Sequence, residues 1–177
     1  MKMEYKFAPL ETEVKQDGAI SGYASRFGTK DQGGDIVVRG AFGDSLSRRK
    51  PKMLWQHRVD EPIGHWSKSV EDSTGLYVEG HIDLDVQKGR EAYSLLKSGA
   101  IDGMSIGYRS RKVGKSGKDR LLEKMDLWEV SLVTFPMQLE ATVECVKSIT
   151  DIDNPVEMKR LLESSLRDAG LSKRMAT

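Results

Sequence analysis

The chain of 177 residues has one cysteine, Cys145, and three histidines, His57, His65 and His81. One cysteine excludes an intramolecular disulfide framework and any zinc site built from thiolates, and it fits a reducing compartment. The histidines are separated by 8 and 16 residues and match no short ligand pair, so a metal site is not expected and imidazole chemistry has few owners. No apolar run approaches the ~20 residues of a membrane-spanning helix, and the opening MKMEYKFAPLETEV lacks the apolar stretch of a signal peptide. Neither sign of charge is in excess. Lys plus Arg number 28 against 27 Asp plus Glu, a net charge of +1, which removes the electrostatic footprint of a nucleic-acid or anionic-membrane partner. The chain reads as cytosolic, or packaged from the cytosol. What remains is ordinary for a soluble globular protein: 38% hydrophobic and 31% charged residues. A chain of this length removes roughly 70% of its unfolded surface from water and needs no metal or disulfide for stability.

Residues 3 to 27 contain two strand-like runs, EYKFAPLETEV and AISGYASRF, joined at Gln16-Asp17-Gly18, which predicts a hairpin. The Gly- and Asp-rich stretch GTKDQGGD reads as a loop before the short run Ile36-Val37-Val38, and Phe42, Ser45 and Leu46 have the spacing of a short helix. Met53 to His57 is a short apolar strand running into a polar loop. From Leu76 to Leu84 the residues alternate, with Leu76, Val78, Ile82 and Leu84 on one parity and Glu79, His81, Asp83 and Asp85 on the other, as in a half-buried strand. Residues 86 to 98 switch to helical period, with Asp85 as N-cap and a stop at Gly99. SIGYRSRKV and DRLLEKMDL flank the turn Gly114-Lys115-Ser116-Gly117, which predicts a second hairpin. WEVSLVTF, residues 128 to 135, is a strand buried on both faces with a carboxylate, Glu129, inside it. ATVECVKSI reads as one more strand, Met158, Leu161, Leu162, Ser165 and Ala169 as one face of an amphipathic helix, and LSKRMAT as a flexible tail. Many strands with few helices predict a mainly β, barrel-like α+β fold.

A nucleophilic hydrolase needs a nucleophile, a base within reach of its proton, a group to orient that base, and donors for the oxyanion. Ser105 lies in Gly103-Met104-Ser105-Ile106-Gly107, where glycines two residues away on each side leave a hydroxyl accessible. The spacing is that of the α/β-hydrolase elbow, but a turn before the serine and a strand after it contradict the strand-turn-helix context of that motif. A glycine-flanked strand start is the competing reading. His57 ends its strand where an imidazole reaches a cleft, or where it simply bonds a backbone carbonyl, and His65 competes with it as base. His81 is expected to face solvent. Glu129, between Trp128 and Val130, is costly to bury unless a histidine or arginine pairs with it.

The ordered set of segments resembles a known family, the prohead or capsid-maturation serine proteases of tailed bacteriophages, whose fold and catalytic layout are similar to those of the herpesvirus assemblin proteases. The segments are Gly22-Tyr23-Ala24-Ser25 with Phe27-Gly28, Gly34-Asp35-Ile36-Val37 with Gly40-Ala41-Phe42, Leu54-Trp55-Gln56-His57 with Pro62-Ile63-Gly64, and Gly75-Leu76. They continue through Gly99-Ala100-Ile101, Gly103 to Tyr108, and Trp128 to Val133 ending in Pro136. The resemblance runs from about residue 18 to 147, with a family-like C-terminal helix beyond it.

The resemblance implies an assemblin-like closed or partly closed antiparallel β-barrel with a few peripheral helices. It would be organised as a protease domain over residues 1–150 and a C-terminal amphipathic helix with a flexible tail over 151–177. It implies a serine endopeptidase with Ser105 as nucleophile, His57 as base and Glu129 as third member, Asp126 being the next candidate. No cofactor is implied. The related viral enzymes use a second histidine as third member, but no histidine follows Ser105 here. Their arginine-containing loop reads Phe135-Pro136-Met137-Gln138 in this chain, which leaves a backbone N–H near that loop or a water held by Arg109 or Arg111 for the oxyanion. The implied partners are the major capsid protein or its scaffolding segment and the chain itself, through autoprocessing or a dimer contact of the C-terminal helix, with no nucleic acid and no membrane. The implied location is the host cytoplasm, inside the procapsid. The alternative is a catalytically inactive assembly or scaffold-binding module of the same fold.

Overall fold

Alternating apolar residues and turn glycines build ten elements in the computed structural model, which describes residues 4–9, 18–31 and 33–135. In chain order they are β1 (Glu4–Pro9), β2 (Ala19–Arg26), β3 (Asp35–Val37), α1 (Gly43–Leu46), β4 (Lys52–Trp55), β5 (Arg58–Glu71), β6 (Gly75–Ile82), α2 (Gln87–Lys97), β7 (Gly103–Ser116) and β8 (Asp119–Val133). All lie within one compact unit, Met1–Cys145. The strand ATVECVKSI, the C-terminal helix and the tail lie outside the described residues.

The strands form one sheet in the order β1-β7-β8-β4-β5-β6-β2, with β3 paired to β8 off this path. Pairing is antiparallel except for β3 and β4, which run parallel to β8. The sheet curls into a partly closed barrel, the mainly β architecture expected, and β1 and β2, at opposite ends of the pairing order, approach each other. Among the described residues these two strands do not pair with each other, as the expected hairpin requires: β1 pairs with β7 and β2 with β6, and residues 10–17, which include most of the expected turn, lie outside the described residues. Alternation identifies a strand but not its partner, and two joined strands were assigned to each other where the curl sends them to opposite edges.

The β7–β8 hairpin is the spine. Its turn lies at Gly117-Lys118, slightly beyond the predicted one, and Gly117 takes the positive φ of 61° that favours glycine. Both faces of the half nearer Gly103 and Val133 are covered: Ile106, Tyr108, Leu127, Val130 and Leu132 are buried on one, and Ser105, Glu129 and Ser131 on the other. Each such apolar side chain removed from water contributes roughly 1.5–3 kcal/mol. α1 docks through Ser45, whose Oγ accepts from Leu127 N–H at 2.9 Å and faces the Leu127 carbonyl at 3.3 Å.

Two further expectations are corrected. Where a polar loop was expected to follow His57, the chain enters β5 directly, a strand of 14 residues. Its buried side chains, Ile63 and Trp66, stand three apart, and the ladder to β6 shifts register between Trp66 and Lys68, so no clean period of two survives in the sequence. Asp85 does not cap α2; Val86 holds the cap position with no side-chain bond. Gly99 ends that helix as expected, at a φ of 70°.

Candidate active site

Alternation along β8 puts Glu129 and Ser131 on one face, and the antiparallel register sets Gly107 opposite Glu129 and Ser105 opposite Ser131. β4 flanks β8 on its other side, with Leu54 opposite Ser131. It reverses into β5 through two residues, Gln56 and His57, at φ values of 50° and 62°. Two consecutive positive φ angles are those of a type I′ hairpin turn, a conformation that Asn and Gly adopt more readily than Gln and His.

Hydrogen bonds to the end of β8 hold this turn. Gln56 N–H donates to the Leu132 carbonyl at 3.0 Å, Gln56 Nε2 donates to Thr134 Oγ1 at 2.7 Å, and His57 N–H donates to Ser131 Oγ at 3.2 Å. The imidazole is thereby brought over β8, where Nδ1 lies 2.7 Å from Glu129 Oε1. An ionised carboxylate only accepts, so Nδ1 carries the proton and Nε2 becomes the nitrogen through which a further proton is taken. The other carboxylate oxygen, Oε2, accepts from Ser131 Oγ at 2.5 Å. Glu129 is 4% exposed, and these two donors answer the cost of its burial.

Gly107 makes room for the carboxylate. A Cβ there would stand 2.1 Å from Glu129 Oε1, so the second glycine of the Gly103-to-Gly107 motif serves Glu129 rather than a turn. Ser105, one position along the same face, is 0% exposed, and its Oγ has no hydrogen-bond partner among the described residues. A buried hydroxyl without a partner is unusual in a folded interior, where most polar atoms are satisfied.

The structure thus joins His57 to Glu129 directly and sets Ser105 on the strand beside Glu129. Asp126, the next candidate for the third position, is committed elsewhere: Arg48 lies 2.7 Å from Oδ1, and Arg111 donates to Oδ2 at 2.5 Å through Nε. Burial pushes this carboxyl up, but the hydrogen bond and charge of Arg111, together with Arg48 and Arg49, outweigh it and hold Asp126 below the ordinary carboxylate range. His65 faces His81 across the β5–β6 ladder, with ring centroids 6.2 Å apart. His81 is half-buried there rather than solvent-facing. Of the two arginines considered for the oxyanion side, Arg111 is the one bound to Asp126, and Arg109 lies 5.0 Å from the centre of the Trp128 ring. Of the stretch Phe135-Pro136-Met137-Gln138, residues 136–138 lie outside the described residues.

Ser131 is not singled out by the sequence, and Gly107 is read there as a flank of Ser105, not as the neighbour of Glu129. The signal for Ser131 was its i+2 spacing from Glu129 in a strand. The signal for Gly107 exists only in three dimensions. An imidazole oriented by a buried carboxylate, beside a strand that presents a buried serine, is an arrangement suited to acyl transfer through a covalent intermediate.

A family model described as Caudovirus prohead serine protease matches residues 6–155. The prohead protease of Enterobacteria phage HK97 is 34% identical, over 94% of this chain and 77% of that protein. A capsid polyprotein of Pseudomonas phage PAJU2 is 35% identical over 84% of this chain, which corresponds to 23% of the polyprotein. Among solved structures, the capsid assembly protease of bacteriophage T4 superimposes with a TM-score of 0.61 at 11% identity, covering 76% of this chain and 98% of that one, a likeness of fold.

Proposed function

The chain belongs to the caudovirus prohead serine protease family, a family of capsid-maturation peptidases, and from that premise we propose that it is a serine endopeptidase that trims capsid or scaffold precursors inside the procapsid. The observation that carries the serine mechanism is the 2.7 Å contact between His57 Nδ1 and Glu129, one strand away from the buried Ser105. In this reading Ser105 Oγ attacks the peptide carbonyl carbon while His57 Nε2 takes its proton. The same nitrogen then protonates the leaving amine, and a water repeats the sequence to release the acyl group. Glu129 fixes the tautomer that keeps Nε2 basic and stabilises the imidazolium. No cofactor takes part.

The proposed substrates are the major capsid protein or its scaffolding segment, and the chain's own C-terminal region. The likeness to a segment of a protein named capsid polyprotein supports the first. Confinement with its substrates would raise the effective concentration, so a weak individual affinity suffices.

The test is intact mass over time for wild type and Ser105→Ala, each co-expressed with a capsid or scaffold precursor, with fluorophosphonate labelling in parallel. Trimming and labelling in wild type alone are expected. Equal trimming in both would remove Ser105 from the nucleophile role. Neither trimming nor labelling in wild type would favour the inactive assembly module.

A further inference from the structure

Two buried serines face each other across the β7–β8 ladder, Ser105 and Ser131, and their hydroxyls are in opposite states. Ser105 Oγ has no hydrogen-bond partner among the described residues, whereas Ser131 Oγ makes two bonds. A hydroxyl has one proton to give, and Ser131 gives it to Glu129 Oε2 at 2.5 Å. Its lone pair accepts the His57 backbone N–H at 3.2 Å. Ser131 therefore holds both members of the His57–Glu129 pair, one by its carboxylate and the other by its main chain.

We infer that Ser131 is a positioning residue of this site: it sets the rotamer of Glu129 and locks the left-handed turn that carries His57, so that the imidazole meets Ser105 in one orientation. The inference rests on the proposed serine mechanism. It also explains the division of labour between the two serines, because the proton of Ser131 is committed to Glu129.

Two physical arguments support the role. A carboxylate 4% exposed has two oxygens to satisfy; His57 supplies one donor and Ser131 the other, so without Ser131 one buried anionic oxygen is bare. A histidine at a φ of 62° is held against its own preference, and the N–H of that residue finds its acceptor in Ser131.

The experiment compares wild type with Ser131→Ala, Ser131→Thr and Ser131→Val, using the rate of fluorophosphonate inactivation across pH and thermal denaturation for each. The Thr and Val variants have nearly the same shape and differ in the hydroxyl, so their comparison cancels the packing cost of a larger side chain. Ser131→Ala and Ser131→Val are expected to lose about tenfold to a hundredfold in rate, the usual cost of removing a group that orients a ligand or base, with Ser131→Thr recovering most of it. The acid limb of the profile should also move to higher pH in Ala and Val, because an unshared Glu129 charge holds the imidazolium more tightly. A rate loss with an unmoved limb and equal Thr and Val variants would reduce Ser131 to packing and overturn the inference, as would full activity in Ser131→Ala.

A readout that needs no turnover separates this inference from the serine mechanism. With only three histidines, the His57 imidazole is resolved by NMR in the Ser105→Ala background and assigned with His57→Gln. Adding Ser131→Ala should raise the pH at which His57 titrates. An unchanged titration would overturn the Ser131 role even if the enzyme proves active, whereas a raised one together with an active Ser105→Ala protein would leave Ser131 holding the His57–Glu129 pair and overturn the serine mechanism it is inferred to serve.

Discussion

Glu129 is a test of the site at the scale of a single residue because its two oxygens do separate jobs. Glu129→Gln keeps the shape but presents an amide, which can turn its NH2 toward Nδ1 and favour the tautomer with its proton on Nε2. The expected loss in kcat is about 10² to 10⁴, with the melting temperature nearly unchanged, measured by precursor cleavage and by calorimetry. Gly107→Ala acts on the same carboxylate from the opposite strand. The new Cβ would stand 2.1 Å from Oε1, so the carboxylate must move, and a displacement of about 1 Å in a catalytic constellation costs on the order of a hundredfold. Fluorophosphonate labelling should fall by that factor, and a Gly107→Ala protein that labels at the wild-type rate would show that Glu129 is not held where the geometry puts it. At this scale the sequence was informative wherever a residue type was improbable in its setting: a carboxylate inside WEVSLV demanded a partner, and the structure supplies His57. It was silent on Ser131 and on the tie between Gly107 and Glu129, since a serine in a strand is unremarkable and a flanking glycine is read with its serine until the facing residue is known.

The β4–β5 turn is the element on which the imidazole depends. Its two central residues, Gln56 and His57, sit at positive φ, where a non-glycine residue is disfavoured by roughly 1–2 kcal/mol and a β-branched one by more. The turn holds because bonds from Gln56 to Leu132 and Thr134, and from His57 to Ser131, tie it to the end of β8. Gln56→Asn, which tolerates the left-handed region, should fold normally and label at close to the wild-type rate. Gln56→Val, which tolerates it poorly and removes the bond to Thr134, should lower the melting temperature by several degrees and slow labelling. If both variants behave alike, turn conformation does not position His57. This turn shows why only part of the elements was legible. Strand β6, helices α1 and α2 and the β7–β8 hairpin announce themselves through period, spacing or turn glycines. A type I′ turn made of Gln and His carries no glycine signal, and β5, which follows it, hides its alternation behind a register shift. The partners of β1 and β2 depend on how the whole sheet curls, which no local pattern encodes.

At the scale of the molecule, one buried charge links three parts of the fold. Asp126 on β8 is 1% exposed and bound by Arg111 from β7 and by Arg48, which follows α1. Its pKa is depressed below the ordinary value of about 3.8: burial alone would raise it, but the charge and hydrogen bond of Arg111 and the charges of Arg48 and Arg49 prevail. Asp72 behaves similarly, chiefly because it accepts from Tyr23 Oη at 2.6 Å and also from the Gly75 and Thr74 N–H groups. For a carboxyl whose folded pKa lies below its unfolded one, the unfolded state binds the proton first as acid is added. The stabilisation is thus complete above the unfolded value and is lost as the pH falls through the folded one. Wild type should hold its unfolding free energy from neutrality down to about pH 5 and lose it steeply below about pH 4. Asp126→Asn removes one carboxyl from that titration and leaves two partly exposed guanidiniums to water, which limits the cost at neutral pH to about 1–3 kcal/mol. Urea melts from pH 7 to pH 3 should therefore converge: the variant is weaker at neutrality and falls less steeply in acid. Parallel curves would mean that the proton taken up on acid unfolding does not go to Asp126, and the linkage between β7, β8 and the segment after α1 would lie in packing rather than in this charge.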